Sequence, residues 1–213
     1  MARVILGVTG SVAAIHTPLL FEELKSSGHD VKVVATAASV YFFDGAALSG
    51  GPRRDPSVVV LDEDEWPAQA EGGRYARGDN VLHIELRRWG QALVIAPLDA
   101  NTLAKLALGI CDNCLTCVYR AWHRGRRVVL APAMNTLMWE HPATLRHLRQ
   151  IAEDMSGGVA IPAAEDALEL IAWINENLET LHVVAPQVKR LACDDVGIGA
   201  MESAVKSWRA SSE

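Results

Sequence analysis

Short apolar runs alternate with stretches of helical spacing along almost the whole chain. The runs at residues 4–8, 31–35, 58–61, 92–96 and 127–131 are built largely from Val, Ile, Leu and Ala, as strands buried on both faces are. Weaker runs at 159–161 and 182–185 predict two further strands. Residues 81–86 alternate around His83 and predict a strand as well. Between these runs the spacing predicts helices over 12–27, 101–108, 112–123, 143–154 and 165–178. Thr17-Pro18 breaks the first of them, which either kinks there or restarts with Thr17 as cap and Pro18 in its first turn. Strand and helix in alternation predict an α/β fold: a three-layer, doubly wound parallel sheet of the Rossmann-like or flavodoxin-like kind, with helices on both faces.

The region from Asp44 to Asn80 departs from this rhythm. It holds Gly50-Gly51-Pro52, Pro56, the acidic run Asp62-Glu63-Asp64-Glu65 and Gly72-Gly73. It reads as surface loop around one short strand, mobile near 67–80, with the acidic run as a solvated face. Residues 186–201, rich in Gly and Asp, read as a flap that folds over something. The whole is expected to form one domain over 1–213.

Composition narrows the classes. Net charge is −6 over 213 residues, against a nucleic-acid binder. No apolar run is long enough to span a membrane, and a cytoplasmic setting is expected. Four cysteines in a chain of this length do not make a disulfide framework. Cys111, Cys114 and Cys117 have metal-like spacing, but the same spacing lays a row of small apolar side chains along a helix and no fourth ligand is near. No metal is expected.

Candidate chemistry gathers where strands run into polar turns. Thr9-Gly10-Ser11 follows the first run. Gly10 permits a tight turn and a close approach, and the helix start behind it favours an anion. Neither GxGxxG nor Gly-Lys-Ser/Thr is present, so neither a dinucleotide nor an NTPase is favoured; a plain tight connection explains the turn equally well. Ser39 stands where a hydroxyl caps a helix or meets the same phosphate. Pro97-Leu98-Asp99-Ala100-Asn101-Thr102 is a second polar turn opening a helix, the usual place for an anionic ligand in such sheets. His83 is the histidine near this ligand edge, and an imidazole can serve as a base at neutral pH, although a lone histidine is more often structural. Met134-Asn135-Thr136-Leu137-Met138-Trp139 makes an apolar surface with one polar handle. Cys193 lies in the Gly/Asp-rich loop, an exposed liability or a proton donor.

The stretches GVTGSVAA, VLHIELRRW, VIAPLDANTLAK, CDNCLTCVYRAW, APAMNTLMWEHP and KRLACDD…GAM together resemble the flavin-dependent cysteine decarboxylases. The resemblance implies FMN held by Gly10, Ser11 and Val12, by Ser39, by Asp99, Ala100, Asn101 and Thr102, and by Ala133. It implies Asn135 on the substrate carboxylate, Met138 lining the pocket, and Arg190, Leu191 and Ala192 in the flap. His83 would be the base and Cys193 the acid. The implied reaction takes 4′-phosphopantothenoylcysteine to 4′-phosphopantetheine, towards coenzyme A: the flavin oxidises the thiol carbon to a thioaldehyde, CO2 leaves, and the ene-thiolate is reduced and protonated. The family implies a homotrimer with the flavin near a subunit boundary, which the apolar Leu86 and Trp89 flanking a charged patch fit.

The chain departs from the family's pattern in places. Asp194 replaces a usual glycine after Cys193, Cys114 replaces a leucine, and segments near 50–79 and 165–180 look expanded. Rival classes are a peptide C-terminal cysteine oxidase on the same scaffold, a halotolerance-type phosphatase regulator, and a flavodoxin-like electron carrier. The flap and the short tail favour the coenzyme A reaction over the first two, and the third has no use for PAMN or Cys193.

Overall fold

The computed structural model describes residues 1–66 and 72–186. Six parallel strands form one sheet: β1 (Arg3–Val8), β2 (Asp30–Ala35), β3 (Val59–Val60), β4 (Ala92–Leu98), β5 (Arg127–Pro132) and β6 (Leu181–Val183), in the order β3-β2-β1-β4-β5-β6. The chain starts at β1, winds outward to β3, then returns to β4 and winds the other way. The direction therefore reverses between β1 and β4, and in such sheets the crevice at that reversal receives ligands.

Strand side chains alternate between two cores. Ile5, Leu93, Ile95, Val128 and Leu130 point to one side. Val4, Leu6, Val8, Ala92, Val94, Val129 and Ala131 point to the other. The first side is packed by α3 (Leu82–Trp89), α4 (Ala100–Leu108), α5 (Cys114–Arg120), α7 (Pro142–Met155) and α8 (Ala167–Asn177). On the second, α1 (Thr17–Ser26) supplies Leu20, Phe21 and Leu24, and α2 (Gly45–Leu48) supplies Leu48. Each fully buried Leu or Ile of these cores contributes about 1.5–3 kcal/mol relative to exposure.

Helix starts follow capping chemistry. Residues Val12–His16 form a 3₁₀ turn capped by Ser11, and the α-helix restarts at Thr17 with Pro18 in its first turn, where its missing N–H costs nothing. His16 ends that turn with a buried Nε2 that has no hydrogen-bond partner among the described residues. Asp99 caps α4, accepting from Thr102 N–H at 2.6 Å. Asn113 caps α5, accepting from Thr116 N–H at 2.9 Å, and Asp112, where the helix was expected to begin, pairs with Lys105. A short α6 (Thr136–Glu140), not expected from the sequence, precedes α7 and is capped by Asn135.

Two predicted strands are absent. Residues 81–86 do not form a strand; Leu82–Trp89 is a helix. Leu82, Leu86 and Trp89 recur at spacings of four and three and form one stripe against the core, which outweighs the two-residue alternation around His83. Gly90 ends the helix where a Cβ would lie 2.8 Å from both Ile5 Cδ1 and Trp122, so the chain crosses close under β1. Residues 159–161 are also not a strand. The β5 edge they would need is taken by β6, through Val128–Leu181, Val129–His182 and Leu130–Val183.

Candidate functional site

In a parallel sheet every strand ends at the same edge, so the turns after β1, β2, β4 and β5 gather there. The turns of β1 and β4 are bound to each other. Thr9 is fully buried; its hydroxyl donates to Pro97 O at 2.8 Å and accepts from Asp99 N–H at 2.7 Å. A Cβ on Gly10 would lie 2.7 Å from Ala38 Cβ and 3.2 Å from Asp99 Oδ2. Only glycine lets the β1 turn pass between the β2 and β4 turns, and this converging backbone makes a cradle at the reversal point. Ser11 and Asp99 are half-buried along it, Asn101 and Val12 face solvent, and Thr102 is buried. Ser39 is fully buried, and its hydroxyl donates to Thr36 O at 2.7 Å. It holds the β2 turn and is not a helix cap. Ala133 is buried and donates its N–H to Leu98 O, closing the β4–β5 end of the cradle.

The loop after β5 divides. Met134 is buried and Trp139 packs against the core, whereas Leu137 and Met138 are exposed. Asn135 accepts from Met138 N–H through Oδ1 at 2.9 Å. With its oxygen engaged, the free end of the amide is a donor, which suits a carboxylate. Among the described residues Nδ2 has no partner.

His83 stands in the first turn of α3. The residue after α3 and Gly90, Gln91, donates its N–H to Arg3 O at the beginning of β1. The helix therefore descends the sheet, and its first turn lies toward the edge where the strands end. The His83 side chain is partly exposed, at 21%. Its ring Nδ1 lies 2.5 Å from Glu65 Oε1, and its backbone N–H donates to Glu65 Oε2 at 3.1 Å.

Glu65 is what sequence reasoning missed. It closes the acidic run read as a solvated face, yet it is only 5% exposed. Its neighbours are engaged as well. Asp62 accepts from Ala37 N–H and from Cys114 N–H, tying the β2 turn to the start of α5. Asp64 accepts from Leu61 N–H and pairs with Arg54. Glu65 meets a partner 18 residues away and Asp62 one 52 residues away, so no local pattern marks them as engaged. Cys114 sits beside Glu65, and burial first, then the Glu65 charge, pushes its thiol well above the usual range. Cys117 is shifted the same way, mainly by burial. Cys111 precedes the helix and is exposed, so the three cysteines do not form one helical row.

Arg190, Leu191, Ala192 and Cys193, with nearly all of the flap at 186–201 and part of the loop near 67–80, lie outside the described residues. Leu86 and Trp89, the apolar residues expected near a subunit boundary, both pack inward. Leu86 is buried, and Trp89 packs on the core with Lys32 over its ring.

A doubly wound sheet with an anion cradle at its reversal point, and without a dinucleotide glycine pattern, defines a mononucleotide-binding α/β protein. The flavoprotein family profile matches residues 1–207. A phosphopantothenoylcysteine decarboxylase of Oryza sativa subsp. japonica is 43% identical over 93% of this chain and 74% of its own. Two solved structures share the fold and more than a third of the sequence. A PPC decarboxylase mutant complexed with pantothenoylaminoethenethiol superposes with TM-score 0.72 at 38% identity, covering 98% of this chain and 97% of that one. The FMN binding protein AtHal3 superposes at 0.71 and 39% identity, covering 98% and 95%. The chain belongs to the flavoprotein family and, within it, with the phosphopantothenoylcysteine decarboxylases. Among the described residues no helix is long and apolar enough to cross a membrane.

Proposed function

We propose that the protein is an FMN-dependent decarboxylase that converts 4′-phosphopantothenoylcysteine to 4′-phosphopantetheine in coenzyme A biosynthesis. The observation that carries this reading is the cradle at the β1/β4 reversal, which a Cβ at position 10 would fill, in a chain whose relatives bear that activity in their names. Gly10, Ser11 and Val12, Ser39, Asp99 to Thr102 and Ala133 would hold the cofactor. FMN supplies a reversible two-electron acceptor, which the amino acids of the chain lack.

The protein residues then have distinct tasks. Asn135 donates its amide to the substrate carboxylate. As a neutral donor it orients the group without the charge of an arginine, which would oppose loss of CO2. Met138 covers the apolar side of the substrate. His83 takes the thiol-side proton, and Cys193 returns a proton to carbon; a free thiol with a pKa of about 8.5 is a suitable acid near neutral pH. Arg190, Leu191 and Ala192 would close over the substrate. A homotrimer with the cofactor near the subunit boundary is part of the same reading, and the exposed Val12, Ile15 and Leu19, in the turn and helix that follow β1, offer apolar surface for such a boundary. A cytoplasmic setting and a single domain go with it.

The competing reading on this scaffold is oxidative decarboxylation of a peptide's C-terminal cysteine. Purified protein offered both substrates is expected to consume phosphopantothenoylcysteine and leave the peptide. Preferential consumption of the peptide would overturn the substrate assignment while leaving the FMN site intact.

A further inference from the structure

The pairing of Glu65 with His83 has the form of a catalytic dyad. One carboxylate grips the same residue twice: Oε2 accepts the backbone N–H of His83 at 3.1 Å, and Oε1 faces ring Nδ1 at 2.5 Å. The first contact fixes the start of α3 and the second fixes the ring on it. Glu65 is 5% exposed, and among the described residues no Lys or Arg lies within ion-pair distance of it; its ion-pair partner is His83. The other groups facing the carboxylate are the thiols of Cys114 and, farther off, Cys117, both kept neutral, and the anionic Asp62 nearby. Among the described residues, the one cationic counterpart of this carboxylate is therefore the imidazole once it gains a proton.

We infer that Glu65 is the positioning residue of the base: it fixes His83 with Nδ1 protonated and leaves Nε2 as the nitrogen that accepts the substrate's proton. This rests on the proposed role of His83. A carboxylate only accepts hydrogen bonds, so the ring nitrogen that meets it must carry a proton. A neutral imidazole has one N–H, and Nε2 then holds the lone pair. When the base works, a proton moves from the substrate to Nε2 and the ring becomes an imidazolium. Glu65 stabilises that cation without itself taking the proton. Burial strengthens the effect, because little water competes for the carboxylate.

The tautomer is directly observable. In FMN-loaded protein carrying ¹⁵N-histidine, long-range ¹H–¹⁵N spectra near neutral pH should show the resting His83 ring as Nδ1–H with a bare Nε2. Glu65→Gln offers an amide that donates as well as accepts. It should move His83 toward the Nε2–H form and lower kcat by about 10²–10⁴-fold, the range that positioned proton transfer contributes, with KM and the bound-flavin spectrum little changed. Glu65→Asp keeps the acceptor and should recover part of both the tautomer and kcat. A wild-type ring protonated at Nε2 in its neutral form would overturn the inference without recourse to any variant. So would a Glu65→Gln enzyme with wild-type tautomer and kcat. If His83→Asn keeps full turnover while Glu65→Gln still switches the tautomer, the base assignment fails and the positioning contact stands.

Discussion

The chain with Gly10→Val folds and is purified with little or no flavin. A Cβ there would meet Ala38 Cβ at 2.7 Å and Asp99 Oδ2 at 3.2 Å, and valine adds two methyl groups to that collision. The turn after β1 cannot yield easily, since Thr9 holds it to Pro97 and Asp99 through its buried hydroxyl. The β1 turn must move away from the β2 turn, or the Asp99 carboxylate must leave its cap on α4. Either movement deforms the cradle. Overpacking of this kind costs about 1–3 kcal/mol, which, taken from binding, is roughly a fivefold to hundredfold loss of affinity. The fold should survive, because Gly10 lies past the end of β1 and belongs to neither core cluster. Flavin absorbance per mole of protein, beside a far-ultraviolet spectrum, checks both halves. Wild-type flavin content in the variant would mean that the cofactor does not use this cradle.

The His83→Asn enzyme is expected to keep its flavin and lose turnover. The residue lies in the first turn of α3, held by Glu65, and it is separate from the turns assigned to FMN. Asparagine retains the backbone N–H that donates to Glu65 Oε2, so the start of the helix is preserved. The imidazole is lost, and with it the ring nitrogen assigned to take the proton. General base catalysis contributes about 10²–10⁴-fold, and kcat should fall by that factor with the flavin spectrum unchanged. Undiminished kcat with bound flavin would remove His83 from the chemistry.

Much of the fold was legible because its strands are buried on both faces and read as unbroken apolar runs: β1, β2, β4 and β5 fall within one or two residues of their predicted positions. The helix over Leu82–Trp89 was not. Val81 to Leu86 satisfies a two-residue alternation by accident, and only the more distant Trp89 reveals the helical stripe. The run at 159–161 failed for a reason that no local pattern contains, since β6 already occupies the sheet edge it needed. The site divides along the same line. Gly10 and Asp99 announce themselves as turn and cap residues next to strands. His83 gained its importance from the family resemblance, because a single histidine carries little information alone. Glu65 could not be found locally: its burial depends on α3 and α5 folding over it, and an acidic run gives no hint of which carboxylate will turn inward.

The proposed reaction removes CO2 from a cysteine-derived carboxylate with no net oxidation. The measurement that tests it most directly is the mass of the product formed when flavin-loaded protein meets 4′-phosphopantothenoylcysteine without oxygen. The expected product is lighter by one CO2 with all other hydrogens accounted for, and the flavin is oxidised again once substrate is exhausted. A product that has also lost two hydrogens, with the flavin left reduced, or a substrate recovered unchanged by yellow protein, would contradict it.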